Sequence, residues 1–300
     1  MGEVHTIRRG KRALTFEVFG NPSSTKTIIY LHGFPGSRIE AAFAESQALK
    51  ENCRLIGVDR PGFGASPSYP ARTLIEFCED LEAIADSLTL NKFYLVGCSG
   101  GVPFALACAS RLPNRIHACS LVSGLGPIAE APQLLSNAHF FNRIMLRAAL
   151  VAPGLVGTIV FLLSSILKHC PHWMVAWLTL VSPRYDQCIL REPAVSDLLT
   201  RNFALALSGS AWGPAHDVHI MASKWNFRLE GIGVPCHFWH GDSDSHVPFE
   251  MSSYMAGKIP GAGLTKIEGE GHFMIVKLLP QIFQQLLHKN TSSETYPSHV

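Results

Sequence analysis

The chain has 300 residues; 47% are apolar, 16% are charged, and the net charge is +2 at neutral pH. That is ample material for one large core, or a core with a substantial insertion, and too little positive charge to direct the protein to nucleic acid. Eight cysteines without C-x-x-C spacing, several in apolar runs (Cys98, Cys108, Cys119, Cys236), read as reduced, buried thiols, and with no apolar leader in the first residues a cytoplasmic setting is expected.

In chain order, residues 4–7 read as a first strand. The short basic run Arg8-Arg9-Gly10-Lys11-Arg12 is centred on a Gly and reads as a hairpin turn into a second strand over 14–19. A third strand over 27–31 ends at His32-Gly33-Phe34-Pro35-Gly36-Ser37. A helix is expected over 41–49, a strand over 54–58 and an amphipathic helix over 74–88. A strand over 93–96 runs straight into Gly97-Cys98-Ser99-Gly100-Gly101. A helix of mostly small, apolar residues over 100–111 and a strand over 118–122 follow. Apolar strands interleaved with helices predict an α/β fold: a mostly parallel central sheet with helices on both faces.

Glycines flank Ser99 because a tight strand-to-helix turn leaves no room for side chains on either side. Such a turn lifts the Ser99 hydroxyl clear of the sheet. It also aims the N-terminus of the next helix at any charge that forms beside it. Ser99 is therefore the candidate nucleophile. An oxyanion forming there needs two backbone donors. The N–H of Gly100 is one; the N–H of Phe34, in the loop after the third strand, is the other.

The alternation breaks at Ser123-Gly124-Leu125-Gly126-Pro127, and the stretch 127–231 shows helical segments and no convincing strand. The expected organisation is a core over 1–126 and 232–290, a helical cap over 127–231 and a flexible tail over 291–300. Residues 148–167 carry no charge and are numerous enough to raise a transmembrane reading. Against it, Pro153, Gly154 and Gly157 interrupt the run, and both ends of the insertion must return to one sheet. The cap is expected to be a lid with an apolar face over the site, with contact between cap and membrane surface as a second use of the same side chains. Trp173 and Trp177, four residues apart on one helical face, and Leu163 are the expected pocket residues.

A strand over 234–241 passes into His240-Gly241-Asp242-Ser243-Asp244-Ser245-His246-Val247-Pro248. Of its two carboxylates Asp244 is the candidate acid, since the G-x-x-D-x-x-V-P spacing puts it at the loop apex. Asp242 is the candidate for turning the chain. The other location for such an acid, after the strand over 118–122, offers only Ser123 and Gly124. His272, in Gly269-Glu270-Gly271-His272-Phe273, lies on a loop beside the last helix, expected over 273–289, where a base can reach a serine. No spacing points to a metal, and no cofactor is expected.

Jointly, HGFPGS, Asp59-Arg60-Pro61-Gly62-Phe63-Gly64-Ala65-Ser66-Pro67, GCSGG, HGDSDSHVP and GEGHF resemble the α/β-hydrolase family, specifically its members with a helical cap. The resemblance covers the chain from about residue 10 to 288. It implies the α/β-hydrolase fold, with nucleophile, acid and base on Ser99, Asp244 and His272. The HGFP loop is similar to that of epoxide hydrolases, but those enzymes, like haloalkane dehalogenases, carry Asp where this chain has Ser99. Phe34 and Cys98 depart from the HGGPG and GGSWG of proline iminopeptidases. What the resemblance implies is a serine hydrolase of carboxylesterase or lipase type. Its substrate would be a small ester or thioester with an apolar acyl or alcohol part. The same triad serves amide and carbon–carbon bond hydrolysis, and the same fold serves ligand binding with little turnover.

Overall fold

The computed structural model describes residues 2–69 and 73–288. β1 (Glu3–Arg9) and β2 (Arg12–Gly20) form an antiparallel hairpin, with Gly10 at its tip at φ 59°. Side chains of β1 alternate between half-buried and exposed, as an edge strand allows, while β2 is buried over 14–19. β3 (Thr27–Leu31) and β4 (Arg54–Val58) are almost wholly buried, because helices cover the sheet on both sides. β5 (Phe93–Cys98), β6 (Ile116–Val122), β7 (Cys236–Gly241) and β8 (Gly263–Ile267) complete an eight-stranded sheet of order β1-β2-β4-β3-β5-β6-β7-β8. β2 pairs antiparallel with β4, and every later pairing is parallel.

Helices α1 (Glu45–Lys50), α2 (Leu74–Ser87) and α3 (Val102–Arg111) connect the first strands. Six more fill the stretch between β6 and β7: α4 (Phe140–Val151), α5 (Pro153–Leu167), α6 (Pro171–Val181), α7 (Arg184–Arg191), α8 (Pro193–Ser208) and α9 (Trp212–Met221). α10 (Phe249–Lys258) and α11 (Ile275–Leu287) follow β7 and β8. On one face of the sheet Phe77, Leu81, Phe104 and Met255 pack with Ile29, Ile56 and Leu95. On the other, Ala48, Ile282 and Phe283 pack with Ile28, Leu55 and Val96. At about 1.5–3 kcal/mol for each large apolar side chain withdrawn from water, these two layers dominate the fold.

Between β6 and β7 there is no strand among the described residues. The helices there form two packed groups. Leu146, Val156, Val160 and Val218 join α4, α5 and α9, whereas Val175, Ile189, Leu199 and Phe203 join α6, α7 and α8. Among the described residues no single helix is long and apolar enough to cross a membrane; α5 and α6 together would be by length and composition, but they meet at 115°.

The segment expected as a helix over 41–49 is instead a 3-10 turn (Arg38–Ala44) followed by the short α1. The helix α10 and the strand β8 have no counterpart in the sequence reading. β8 is a five-residue edge strand starting at Gly263, with alternate side chains exposed, too short to declare a period. The tail over 291–300 lies outside the described residues.

Candidate active site

Ser99 follows β5 directly and has φ 51°. That conformation costs a non-glycine residue about 1–3 kcal/mol and persists only where its surroundings hold it. Close packing supplies the hold. A 3-10 turn (Ser99–Gly101) leads into α3, and a β-carbon on Gly101 would lie 2.2 Å from the carbonyl oxygen of Leu31 at the end of β3. The tight turn therefore displaces the start of the helix from the expected position 100 to Val102. The loop after β3 closes over the same spot. A β-carbon on Gly100 would lie 2.8 Å from that of Phe34 and 3.4 Å from the Phe34 nitrogen. Gly100 and the backbone of Phe34 thus pack closely against each other beside Ser99.

His272 opens a 3-10 turn (His272–Met274) just before α11, and Asp244 lies on the loop after β7. The fold brings both to Ser99. His272 Nδ1 is 2.7 Å from Asp244 Oδ2, and its Nε2 is 3.0 Å from Ser99 Oγ. A carboxylate only accepts, so Nδ1–H donates to Asp244 and Nε2 is left to accept the Ser99 hydroxyl. The second oxygen of Asp244 accepts the backbone N–H groups of His246 (2.8 Å) and Val247 (2.9 Å). Asp242 does something else: it accepts the Gly269 N–H at 2.8 Å and faces Lys266 at 3.5 Å, tying this loop to the His272 loop.

Burial works against charge on Asp244, but His272 and His240 beside it outweigh burial and hold its carboxyl well below the usual carboxylate range. Burial likewise works against charge on His272. Asp244, through its charge and hydrogen bond, and then Asp186 and Glu40 more weakly, lift the imidazole above its ordinary value. A second histidine, His246, packs with its ring centroid 5.4 Å from that of His272 and is hydrogen-bonded to the Ser182 hydroxyl at 2.8 Å. Burial and the neighbouring His272 push it down to about 4, so it stays neutral near pH 7.

Several residues that sequence reasoning passed over hold this arrangement. Asp186, on α7, accepts the backbone N–H of His272 at 2.9 Å and of Phe273 at 2.8 Å. Ser123, at the end of β6, donates to the His272 carbonyl at 3.2 Å. Arg60 and Asp217 form an ion pair with both side chains fully buried (2.8 Å). Arg60 also donates to the carbonyls of His32 and Gly33, the residues just before Phe34. Glu40, buried behind the same loop, accepts from Gly33 N–H, Tyr30 and Asn202, and burial pushes its carboxyl up against these partners. Asn202, on α8, accepts the Ser37 N–H and hydroxyl. The only signal for these was Arg60 within the quoted DRPG run. Their partners lie on helices far along the chain, at no diagnostic spacing.

A cavity of about 280 Å³ opens beside Ser99, Gly100, Phe34 and His272. Leu146, Met174, Leu178, Leu199 and Phe203 from the inserted helices and Val276 from α11 give it mainly apolar walls. Of the pocket residues expected from sequence, Trp177 lines it. Leu163 and Trp173 do not, which corrects that expectation: they are 46% and 56% exposed. One residue is about 100° around a helix. Met174 faces the cavity, so its neighbour Trp173 turns away from it; Ser164 is buried, so Leu163 turns out. Among the described residues no group of three His, Cys, Asp or Glu side chains is placed to hold a metal ion.

A family model described as "alpha/beta hydrolase fold" matches residues 26–277. Protein ABHD8 of Bos taurus is 24% identical over 311 residues, covering 99% of this chain and 64% of its own length. Probable lysophospholipase BODYGUARD 2 of Arabidopsis thaliana is 26% identical over 274 residues, covering 85% of this chain and 56% of its own. The chain thus spans between half and two thirds of these curated relatives. Among solved structures, an esterase from Exiguobacterium antarcticum aligns with a TM-score of 0.68 at 20% identity, covering 96% of this chain and 99% of that one. A bromoperoxidase from Bacillus anthracis aligns with a TM-score of 0.69 at 22% identity, with coverage of 96% and 99%. At such identities these two structures speak for the fold.

Proposed function

The chain belongs to the α/β hydrolase fold family, and on that premise we propose that it is a serine hydrolase of carboxylic esters or thioesters with an apolar acyl or alcohol part. The observation that carries this reading is the unbroken hydrogen-bonded chain Ser99–His272–Asp244 at the wall of a mainly apolar cavity. Ser99 Oγ attacks the ester carbonyl carbon while His272 Nε2 takes its proton. The oxyanion sits between the N–H groups of Gly100 and Phe34, where fixed donors are worth far more than in water. The C–O bond breaks, His272 gives its proton to the leaving alcohol, and the acyl group remains on Ser99. Water, deprotonated by His272, then releases the acid and restores the serine. Asp244 fixes the imidazole tautomer and stabilises the imidazolium throughout. The lysophospholipase names of the Arabidopsis relatives support a fatty acyl group as the apolar part.

A fluorophosphonate probe tests the nucleophile, with the labelled peptide identified by mass spectrometry. Wild-type protein is expected to be labelled at Ser99, and Ser99→Ala not at all. Wild type is also expected to hydrolyse p-nitrophenyl esters in the presence of EDTA. A folded protein that neither takes the label nor hydrolyses any ester of the series is a binding protein, and the reading is wrong.

A further inference from the structure

The outer surface of the inserted helices is more apolar than packing requires. Among the described residues sixteen large apolar side chains are exposed, and eleven of them fall between positions 140 and 180. They form stripes. On α4, Ile144 and Val151 lie on one helical face with Arg147 between them. On α5, Leu155, Leu162 and Ile166 share the face opposite the buried Val156 and Val160. On α6, Trp173 and Leu180 face out, while Met174 and Leu178 line the cavity.

Charge on this stretch has one sign. From Ala131 to Tyr185 there is no Asp or Glu, while Arg143, Arg147, Lys168 and Arg184 are all present. The chain as a whole is nearly balanced, at 25 basic to 23 acidic residues. Apolar stripes edged with cations and empty of anions match the interface of a bilayer that carries anionic lipid. The 115° bend between α5 and α6 argues against a span and leaves both helices to lie along a surface.

We propose that α4, α5 and α6 form a docking face for an anionic lipid bilayer. This rests on the surface alone and not on the role given to Ser99. Apolar side chains enter the headgroup boundary, and Arg147 and Lys168, both exposed, pair with lipid phosphates or carboxylates. Trp177 is 42% exposed and also lines the cavity. Docking therefore sets the mouth of the cavity against the lipid.

The test is co-sedimentation of the full chain with vesicles of phosphatidylcholine, with and without phosphatidylserine. Wild type is expected to partition at least about tenfold more strongly onto phosphatidylserine vesicles, and to lose most of that at high salt. Leu155→Asp with Leu162→Asp and Leu180→Asp is expected to cut binding at least about tenfold. Arg147→Gln with Lys168→Gln, a milder pair that keeps the fold, should erase the preference for anionic lipid. Equal partition onto neutral and anionic vesicles, or no partition, overturns the proposal. So does a wild-type dimer in light scattering that the aspartate variant converts to monomer, since the face would then bind a second copy.

Discussion

The carboxylate of Asp186 accepts the backbone N–H of His272 at 2.9 Å, so a residue of the inserted helices holds the loop that carries the proposed base. A β-carbon on Gly271 would lie 2.2 Å from that carboxylate, which explains why glycine precedes His272. Asp186→Asn offers one acceptor in place of two and turns an amide N–H toward a backbone N–H. Leaving a buried donor unpaired costs about 1–3 kcal/mol, and kcat/KM on a soluble ester should fall roughly tenfold or more. Because the Asp186 charge helps lift His272, the acid limb of the pH profile should also move to lower pH. A loss of activity with the limb unmoved would reduce Asp186 to a packing role.

Ser99 is held at φ 51°. Ser99→Ala and Ser99→Gly should both lose activity by at least about 10³-fold. Only glycine relieves the backbone, so Ser99→Gly should be more stable than Ser99→Ala by about 1 kcal/mol in urea unfolding. Equal stabilities would mean that the turn is unstrained.

Arg60 and Asp217 are both fully buried. Asp217→Ala removes the carboxylate that faces this buried guanidinium and should cost about 3–5 kcal/mol. Replacing both, Arg60→Met with Asp217→Leu, should recover much of that stability. It should not recover activity, because the His32 and Gly33 carbonyls lose the donor that sets the loop of Phe34. Denaturant midpoints and kcat/KM of the three variants separate the two effects.

In the proposed mechanism His272 accepts the Ser99 proton only when neutral. Its imidazole is lifted by Asp244, so the protonated form persists to higher pH and kcat/KM should rise with a midpoint above the ordinary histidine value of about 6.5. In Asp244→Asn the lifting charge is gone, burial prevails, and the midpoint of the residual activity should fall. His246 is held down at about 4, so no second step is expected between pH 5 and 8. Two steps there would show that His246 titrates with the site.

Chain-length preference reads the cavity. Each methylene that enters it is worth about 0.8 kcal/mol, or roughly fourfold in kcat/KM. Leu199, buried and on the cavity wall, becomes an obstruction in Leu199→Trp. Its optimum should shift to shorter p-nitrophenyl esters, with acetate hydrolysis little changed. An unchanged profile would place the acyl chain elsewhere.

Much of the fold and of the candidate site is legible in the sequence. Ser99 announced itself because a strand, a glycine-lined turn and a helix are local events, written in consecutive residues. Asp244 and His272 were legible for the same reason, each sitting on a short loop with its own glycines. Asp186, Asp217 and Asn202 were not. Each does its work through long-range contacts, to partners such as His272, Arg60 and Ser37 that lie 86, 157 and 165 residues away in sequence, and a lone Asp or Asn on a helix carries no sign of that. The pocket residues failed for a different reason. Spacing tells which side chains share a face, as Trp173 and Trp177 nearly do, but which face looks inward is decided by helices packed from elsewhere.

β6 and β7 lie side by side in register, Cys119 opposite Cys236, with the whole insertion strung between them. The entropy of closing such a loop grows only with the logarithm of its length, about 0.6 kcal/mol per doubling, so the sheet tolerates it. The order of synthesis is another matter. Ser99 leaves the ribosome with β5, whereas Asp244 and His272 follow only after the inserted helices have been made. A nascent chain that has finished β6 contains Ser99 but not yet the segment that carries His272. On the proposed mechanism, reactivity is therefore among the last properties the growing polypeptide acquires.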